Sequence, residues 1–184
     1  IDYPSFHAFQ QFLRESYPRA FAQLQPKVIA DYSLLLRWPG KNAQLQPVLF
    51  DSHYDVVPVE PGTEQDWQQP PFAGVVADGY LWGRGTLDDK VSVIATLEAI
   101  EQLLESGYEP ERSLLFSFAH DEEIGGNEGA ANIAAHLKQQ GTQLAYMIGE
   151  GGLVLEDNPL VADRSMAMIS LAEKTYVTLT LKAK

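Results

Sequence analysis

The sequence of 184 residues contains no cysteine. This absence excludes disulfide frameworks, thiolate zinc sites and cysteine nucleophiles, so any bound metal must be held by histidine and carboxylate. Basic residues are also scarce, with 13 Lys and Arg against 25 Asp and Glu, which gives a formal net charge of -12. Because such an acidic chain repels phosphates and anionic lipid surfaces, we expect no nucleic-acid partner and no membrane contact in this segment.

Long hydrophobic runs are missing as well, since no stretch approaches the ~20 residues needed to span a bilayer. The hydrophobic content of 45% is nevertheless enough to bury the core of one globular, soluble domain. The first residue is Ile1 rather than Met, so we expect a trimmed N-terminus. The sequence leaves the compartment open between cytoplasmic and exported.

Apolar periodicity predicts helices and strands in alternation. The predicted elements are a helix over 4–17, strands over 28–38, 47–51 and 80–82, a helix over 87–106, a strand over 113–119, a helix over 127–141 and a strand over 144–148. We expect Thr86, with Asp89 three residues on, to cap the second helix, Gly107 to stop it, and Asn127 to cap the third. Residues 176–181 also alternate as a strand does.

This alternation predicts an α/β fold with three layers, α/β/α, and a mostly parallel central sheet covered on both faces. Ligands bind beyond the carboxyl ends of the strands in such sheets. The proline-containing loop over 56–78 is long, and loops of that length usually line a site.

Metal-capable side chains follow three of the predicted strands and open the second helix. The clusters are Ser52-His53-Tyr54-Asp55, Asp88-Asp89, His120-Asp121-Glu122-Glu123 and Gly149-Glu150-Gly151-Gly152. If the sheet is parallel, all four clusters meet at one edge. His7 and His136 lie on predicted helices, where histidines are ordinarily structural, and His120 is not expected to be a ligand either.

Each cluster alone has an ordinary structural explanation. Asp88 and Asp89, for example, suit the first turn of a helix, where each acid contributes ~0.3 to 1 kcal/mol. Together, however, the carboxylates would repel one another and lose hydration unless a cation were bound. Mixed histidine and carboxylate ligation suits Zn²⁺ first, and Co²⁺ or Mn²⁺ as alternatives, better than Ca²⁺.

Spacing within the clusters indicates further roles. In His53-x-Asp55, extended backbone puts both side chains on one face, so Asp55 can accept the second ring N–H of His53 and fix its tautomer. Adjacent Glu122 and Glu123 cannot easily bind the same ion. They are expected to divide into a base and a ligand.

At these residues the chain resembles the M20 family of metallopeptidases, in its carboxypeptidase S-like and aminoacylase-like branch. The stretches that carry the resemblance are residues 52–58, 82–90, 121–126 and 150–152, and it extends in order over almost the whole chain. Several motifs at compatible spacing are far more specific than any one of them.

The resemblance implies two divalent metal ions. His53 and Glu150 would bind one, Glu123 the other, and Asp88 would bridge them, while Asp55 orients His53 and Glu122 acts as general base. It also implies a cis peptide bond between Asp88 and Asp89. Gly149 departs from the family, which often has an acid at that position.

The resemblance further implies that residues 1–172 are the N-terminal part of the catalytic domain and 173–184 begin a lid or dimerisation domain. The rest of the lid and a final histidine ligand would then be absent from this chain, so we expect the isolated piece to be inactive. The full protein would form homodimers through the lid.

The resemblance leaves the substrate open between a peptide and an N-acyl amino acid, so carboxypeptidase and aminoacylase interpretations both remain. A third interpretation is a non-catalytic metal- or peptide-binding module on the same scaffold. The presence of Glu122 argues against it, because a binding module needs ligands but no base.

Overall fold

The apolar runs of the sequence form a five-stranded sheet at the centre of the fold. The computed structural model describes residues 3–152, 154–156, 164–172 and 179–182. In chain order the elements that position the site are α1 (Tyr3–Ser16), α2 (Pro18–Gln23), β1 (Lys27–Ile29), β2 (Ser33–Trp38), β3 (Val48–His53), β4 (Val75–Ala77), β5 (Tyr80–Trp82), α3 (Lys90–Glu105), β6 (Leu114–Ala119), α4 (Ala130–Gln139) and β7 (Tyr146–Ile148).

The strands lie in the order β1-β2-β6-β3-β7. Strand β3 runs parallel to both β6 and β7, whereas β2 runs antiparallel to β6 and to β1. Four of the five strands therefore point the same way, which confirms the prediction of a mostly parallel sheet. The parallel strands β3, β6 and β7 bring their carboxyl ends to one edge.

Helices cover both faces of the sheet, as the three-layer prediction requires. Alternate residues of β2 and β6 point to opposite faces, so Leu34 and Phe116 join one core while Leu35 and Leu115 join the other. Helices α1, α2 and α3 pack on the first face, and α4 packs on the second. The predicted stripe of α3 contributes Val93, Leu97, Ile100 and Leu104 to the first core.

The prediction of one strand over 28–38 is wrong. The segment forms two antiparallel strands, β1 and β2, in which Ile29 pairs with Ser33. Ala30 and Asp31 between them have φ angles of 48° and 64°. Because this left-handed backbone cannot continue a strand, the chain reverses there, and the apolar pattern alone did not reveal the turn.

The predicted caps of the two later helices also differ from the structure. Helix α3 begins at Lys90, and the hydroxyl of Thr86 donates to the carbonyl of Gly83 rather than capping the helix. Gly107, at φ 73°, does end α3 as predicted. Helix α4 begins at Ala130 after Gly129, too far along the chain for Asn127 to be its N-cap.

Strand β7 differs from the buried strand that its apolar sequence predicts. Tyr146, Met147 and Ile148 are each about half exposed, at 46–58%. In the described part of the chain β7 pairs only with β3, which leaves it at the edge of the sheet. Among the described residues, the side chains of β7 therefore have a neighbouring strand on one edge only, which leaves them partly exposed.

The described chain divides into two compact units, Ile1–Glu150 and Gly151–Lys184. The second contains a short antiparallel pair, β8 (Val154–Leu155) with β9 (Met166–Ala167). The predicted domain boundary at 172/173 borders residues 173–178, which lie outside the described residues, and it stays a prediction. Of the predicted strand over 176–181, residues 176–178 lie outside the described residues, and residues 179–181 are described but form no strand. No helix among the described residues is long and apolar enough to cross a membrane.

Candidate metal centre

His53 is the last residue of β3, and its side chain is only 2% exposed. Parallel pairing sets His53 beside Ala119, the last residue of β6, so the loops that follow both strands begin side by side. Because the two strands end together, the Asp121–Glu123 segment is brought next to His53. The strand register thus brings together two of the residue clusters that the sequence predicts to meet at this edge.

Three carboxylates face the Nε2 atom of His53. Asp88 Oδ1 lies 3.0 Å from it, Glu150 Oε1 lies 3.6 Å and Glu122 Oε2 lies 3.9 Å. One potential ligand atom from each of His53, Asp88 and Glu150 falls within 4.8 Å of the others. This is the arrangement that can hold one metal ion.

Asp55 lies on the opposite side of the imidazole ring. Its Oδ1 atom is 3.2 Å from Nδ1 of His53, an ion-pair distance, although the two groups are not aligned as a hydrogen bond. The same carboxylate accepts the backbone N–H groups of Glu122 at 3.1 Å and Glu123 at 3.0 Å. Asp55 therefore contacts both the candidate ligand and the segment that carries the candidate base.

Glu123 lies near the cluster but outside the three-residue group of the described chain. Burial and the negative charge of Asp88 raise the pKa of its carboxyl group. Its backbone is fixed by Asp55, and its side chain shares the electrostatic environment of the site. Its predicted role at a second ion stays a prediction.

The electrostatics of the site show an excess of negative charge. Burial alone would lower the pKa of His53, but the carboxylates of Asp55, Glu150 and Glu122 outweigh it and raise that pKa to about 9. Burial, with Asp88 nearby, raises the pKa of Glu150. A bound cation would relieve this repulsion, and a nitrogen ligand among carboxylates suits a divalent transition metal. The residues present therefore fit a metal ion.

Asp89 supports the candidate site through contacts that the sequence did not reveal. The expected cis peptide bond between Asp88 and Asp89 is present. Asp88 is exposed toward the cluster, whereas Asp89 is 2% exposed and accepts the backbone N–H of His53 at 3.4 Å and the hydroxyl of Ser92. The resemblance already implied that Asp88 would face the site, but nothing in the sequence indicated that Asp89 would support His53.

The remaining histidines lie elsewhere. His120 is buried, with its Nδ1 atom 2.7 Å from the hydroxyl of Ser33. His136 contacts Lys27 at 3.2 Å, and His7 packs against the ring of Tyr32. None of the three belongs to the metal-capable group of the described residues.

Sequence comparison identifies relatives over nearly the whole chain. The chain is 39% identical over 180 residues to "Probable carboxypeptidase S-like 2" of Dictyostelium discoideum, covering 97% of this chain and 34% of that protein. It is 40% identical over 176 residues to "N-fatty-acyl-amino acid synthase/hydrolase PM20D1" of Mus musculus, covering 95% and 34%. This chain therefore spans about a third of the length of these relatives.

Solved structures show the same fold at lower identity. The M20 family metallo-carboxypeptidase Sso-CP2 from Sulfolobus solfataricus matches with a TM-score of 0.56 and 22% identity, over 77% of this chain and 32% of that one. Human carnosine dipeptidase 1 matches with a TM-score of 0.54 and 21% identity, over 79% and 34%. These likenesses confirm the three-layer α/β architecture.

The family comparison covers the segment that contains the metal centre. Residues 49–168 match the family described as peptidase family M20/M25/M40, and this match includes every predicted site residue from His53 to Glu150. The resemblance that the motifs indicated is thereby confirmed. With well over half of the chain matched, the protein belongs to peptidase family M20/M25/M40, whose members are metal-dependent.

Proposed function

We propose that the native protein containing these 184 residues hydrolyses an amide bond of a peptide or an N-acyl amino acid, and that this chain supplies most of its metal site. One observation carries the proposal. Nε2 of His53 lies within 3.9 Å of the carboxylates of Asp88, Glu150 and Glu122, so candidate ligands and a candidate base occupy one site.

The proposed ligands follow from family membership and geometry together. His53 and Glu150 would hold one divalent ion, Glu123 the second, and Asp88 would bridge them. Zn²⁺ is the first choice for this donor set, with Co²⁺ or Mn²⁺ as alternatives. When bound, such an ion would lower the pKa of a water molecule to about 7 and polarise a carbonyl group.

Glu122 is the proposed general base. Its side chain is 50% exposed and lies 3.9 Å from Nε2 of His53, so it can reach both the site and an incoming water. It would take a proton from the water as the water oxygen attacks the carbonyl carbon. It would then pass that proton to the nitrogen as the C–N bond breaks, and the products are a carboxylic acid and an amine.

Asp55 is the proposed partner of both His53 and the segment that carries Glu122. It lies 3.2 Å from Nδ1 of His53, where it would orient the ring so that Nε2 faces the metal. Burial alone would raise the pKa of Asp55, but His53 and the backbone N–H groups of Glu123 and Glu122 lower it. Asp55 therefore remains ionised at neutral pH.

The substrate class stays divided between two candidates. A relative named carboxypeptidase S-like supports a peptide with a free carboxylate, and one named N-fatty-acyl-amino acid synthase/hydrolase supports an N-acyl amino acid. Both require the same hydrolysis at the metal site. We further propose that a lid domain begins near residue 173, that it supplies homodimer contacts, and that a final histidine ligand lies outside this chain.

The test uses the native protein, with whatever sequence precedes and follows these residues. Metal content is measured by elemental analysis after dialysis, and hydrolysis is assayed with a dipeptide and an N-acyl amino acid in parallel. We expect bound divalent metal and hydrolysis of at least one substrate class. The Glu122→Gln variant should keep its metal and lose turnover by ~10²- to 10⁴-fold.

Glu111→Gln is the matched control, because Glu111 is exposed and precedes β6 at the end opposite the site. It should behave as the wild type does. Metal binding without hydrolysis of any amide would favour the binding-module alternative. Normal turnover by Glu122→Gln would show that another group is the base.

A further inference from the structure

Asp121 is a fully buried acid, at 0% exposure, that lies outside the metal-capable group. Its carboxylate accepts three backbone N–H groups, from Glu128 at 2.6 Å, Gly129 at 2.7 Å and Ala130 at 3.1 Å. These donors stand at the start of α4, where N–H groups lack partners within the helix. The negative charge is also favourable at this end of the helix dipole.

The backbone of Asp121 closes the turn that carries Glu122. Its carbonyl accepts the N–H groups of Ile124 at 3.3 Å and Gly126 at 2.7 Å. Gly126, at φ 68°, allows the chain to return to that carbonyl. The side chain of Asp121 thus binds α4 while its main chain shapes the Glu122–Ile124 turn.

The position of the Glu122 side chain is set mainly by the hydrogen bonds that fix its backbone. Its side chain is 50% exposed, so packing constrains it less than it would a buried group. Its N–H donates to Asp55 on one side, and Asp121 precedes it on the other. Asp55 and Asp121 therefore anchor the two sides of the same short turn.

The surroundings of Asp121 leave little room for movement. A Cβ atom on Gly129 would lie 2.5 Å from Oδ1 of Asp121 and from Oγ of Ser33, and 2.6 Å from Nδ1 of His120. His120 and Ser33 are themselves buried and hydrogen-bonded to each other at 2.7 Å. Any side chain at position 129 would therefore displace the carboxylate or its neighbours.

We propose that Asp121 is a positioning residue, which fixes the Glu122 turn to α4 and so holds the general base where it can exchange a proton with the reacting water. This inference rests on the proposed function, because it assigns a task to Glu122. Gly129 contributes to the same positioning, because the absence of a side chain there leaves space for the Asp121 carboxylate.

The test is Asp121→Asn in the native protein. Asn has nearly the same size, but its NH₂ group cannot accept the helix N–H groups. We expect kcat to fall about 10- to 100-fold, as misplacement of a reacting group does, with KM changed less than about twofold. The ion held by His53 and Glu150 should stay bound, because neither residue lies in the Glu122–Ile124 turn. Gly129→Ala, which pushes the same carboxylate from the other side, should lower kcat in the same way.

The control is Ile133→Ala, which removes a buried side chain of α4 without touching the turn. It should lower the melting temperature at least as much as Asp121→Asn and keep its kcat. Wild-type kcat in Asp121→Asn, loss of all bound metal from it, or an equal kcat loss in Ile133→Ala would overturn the proposal. So would failure of both Asp121→Asn and Gly129→Ala to fold, because the role would then be structural.

Glu122→Gln separates this inference from the proposed function. If Glu122→Gln keeps its turnover, the assignment of the base fails and the positioning role fails with it. If Glu122→Gln is inactive while Asp121→Asn turns over normally, only the positioning role is overturned.

Discussion

Asp55 and Glu122 are joined by a hydrogen bond of 3.1 Å from the backbone N–H of Glu122 to the Asp55 carboxylate. The same Oδ1 atom of Asp55 lies 3.2 Å from Nδ1 of His53. One side chain therefore connects the candidate ligand to the candidate base, and both should respond when it is altered.

Asp55→Ala is expected to weaken metal binding by ~10- to 100-fold, the usual effect of removing the partner of a ligating histidine. The alanine would also leave the N–H groups of Glu122 and Glu123 without their acceptor. Metal affinity is measured by competition with a chromogenic chelator. Asp66→Ala, on the exposed loop, is the matched control, and equal affinity in the two variants would contradict the role of Asp55.

Metal removal should lower the thermal stability of the native protein, because a ligand that binds only the folded state stabilises it. Dialysis against a chelator is expected to lower the melting temperature, and added Zn²⁺ should restore it. His53→Ala should show a much smaller shift on metal addition, whereas the exposed His7→Ala should respond as the wild type does. A full wild-type shift in His53→Ala would remove His53 from the ligand set.

The metal-free protein should lose stability as the pH rises from about 6.5 to 9. The folded-state pKa of His53 is raised to about 9 from 6.5, because nearby carboxylates favour the imidazolium. This contribution is fully present below pH 6.5 and disappears as the pH passes 9. Urea unfolding of the chelator-treated protein across this range measures it, and an unchanged slope in His53→Asn would refute the assignment.

Gly85→Ala should destabilise the protein more than Gly79→Ala does. Both glycines have left-handed backbone, at φ 83° and 81°, which costs an alanine ~1 kcal/mol or more. Only at Gly85 would the new Cβ also collide with the side chain of Val56 and meet Lys90 at 3.0 Å, whereas nothing lies within 4 Å at Gly79. Steric conflict should add ~1 to 3 kcal/mol. Denaturant unfolding compares the two, and equal losses would contradict this packing argument.

Much of the fold followed from local pattern. Local signals predicted the apolar stripe of α3, its end at Gly107 and the apolar strand β6. Each of these signals is a repeat or a position-specific residue that can be recognised within a short stretch of sequence. The turn between β1 and β2 was not predictable in this way, because Ala30 and Asp31 adopt left-handed backbone without the usual glycine. The cap of α4 was missed because Asp121 reaches it from seven to nine residues away.

Residue types and their spacing specify the chemistry available to this protein, which is histidine and carboxylate at strand ends, no thiolate, and an acid pair at a helix start. Those features depend on residue type and spacing, which the chain displays directly. The folded chain added how these acids are supported, because Asp89 accepts the backbone N–H of His53, Asp55 accepts that of Glu122, and the Asp121 carbonyl closes the Glu122 turn. The two side-chain contacts could not be predicted because each joins a side chain to a backbone N–H group that is distant in sequence. The loops determine which groups meet, and the course of a loop has no periodic signature in the sequence.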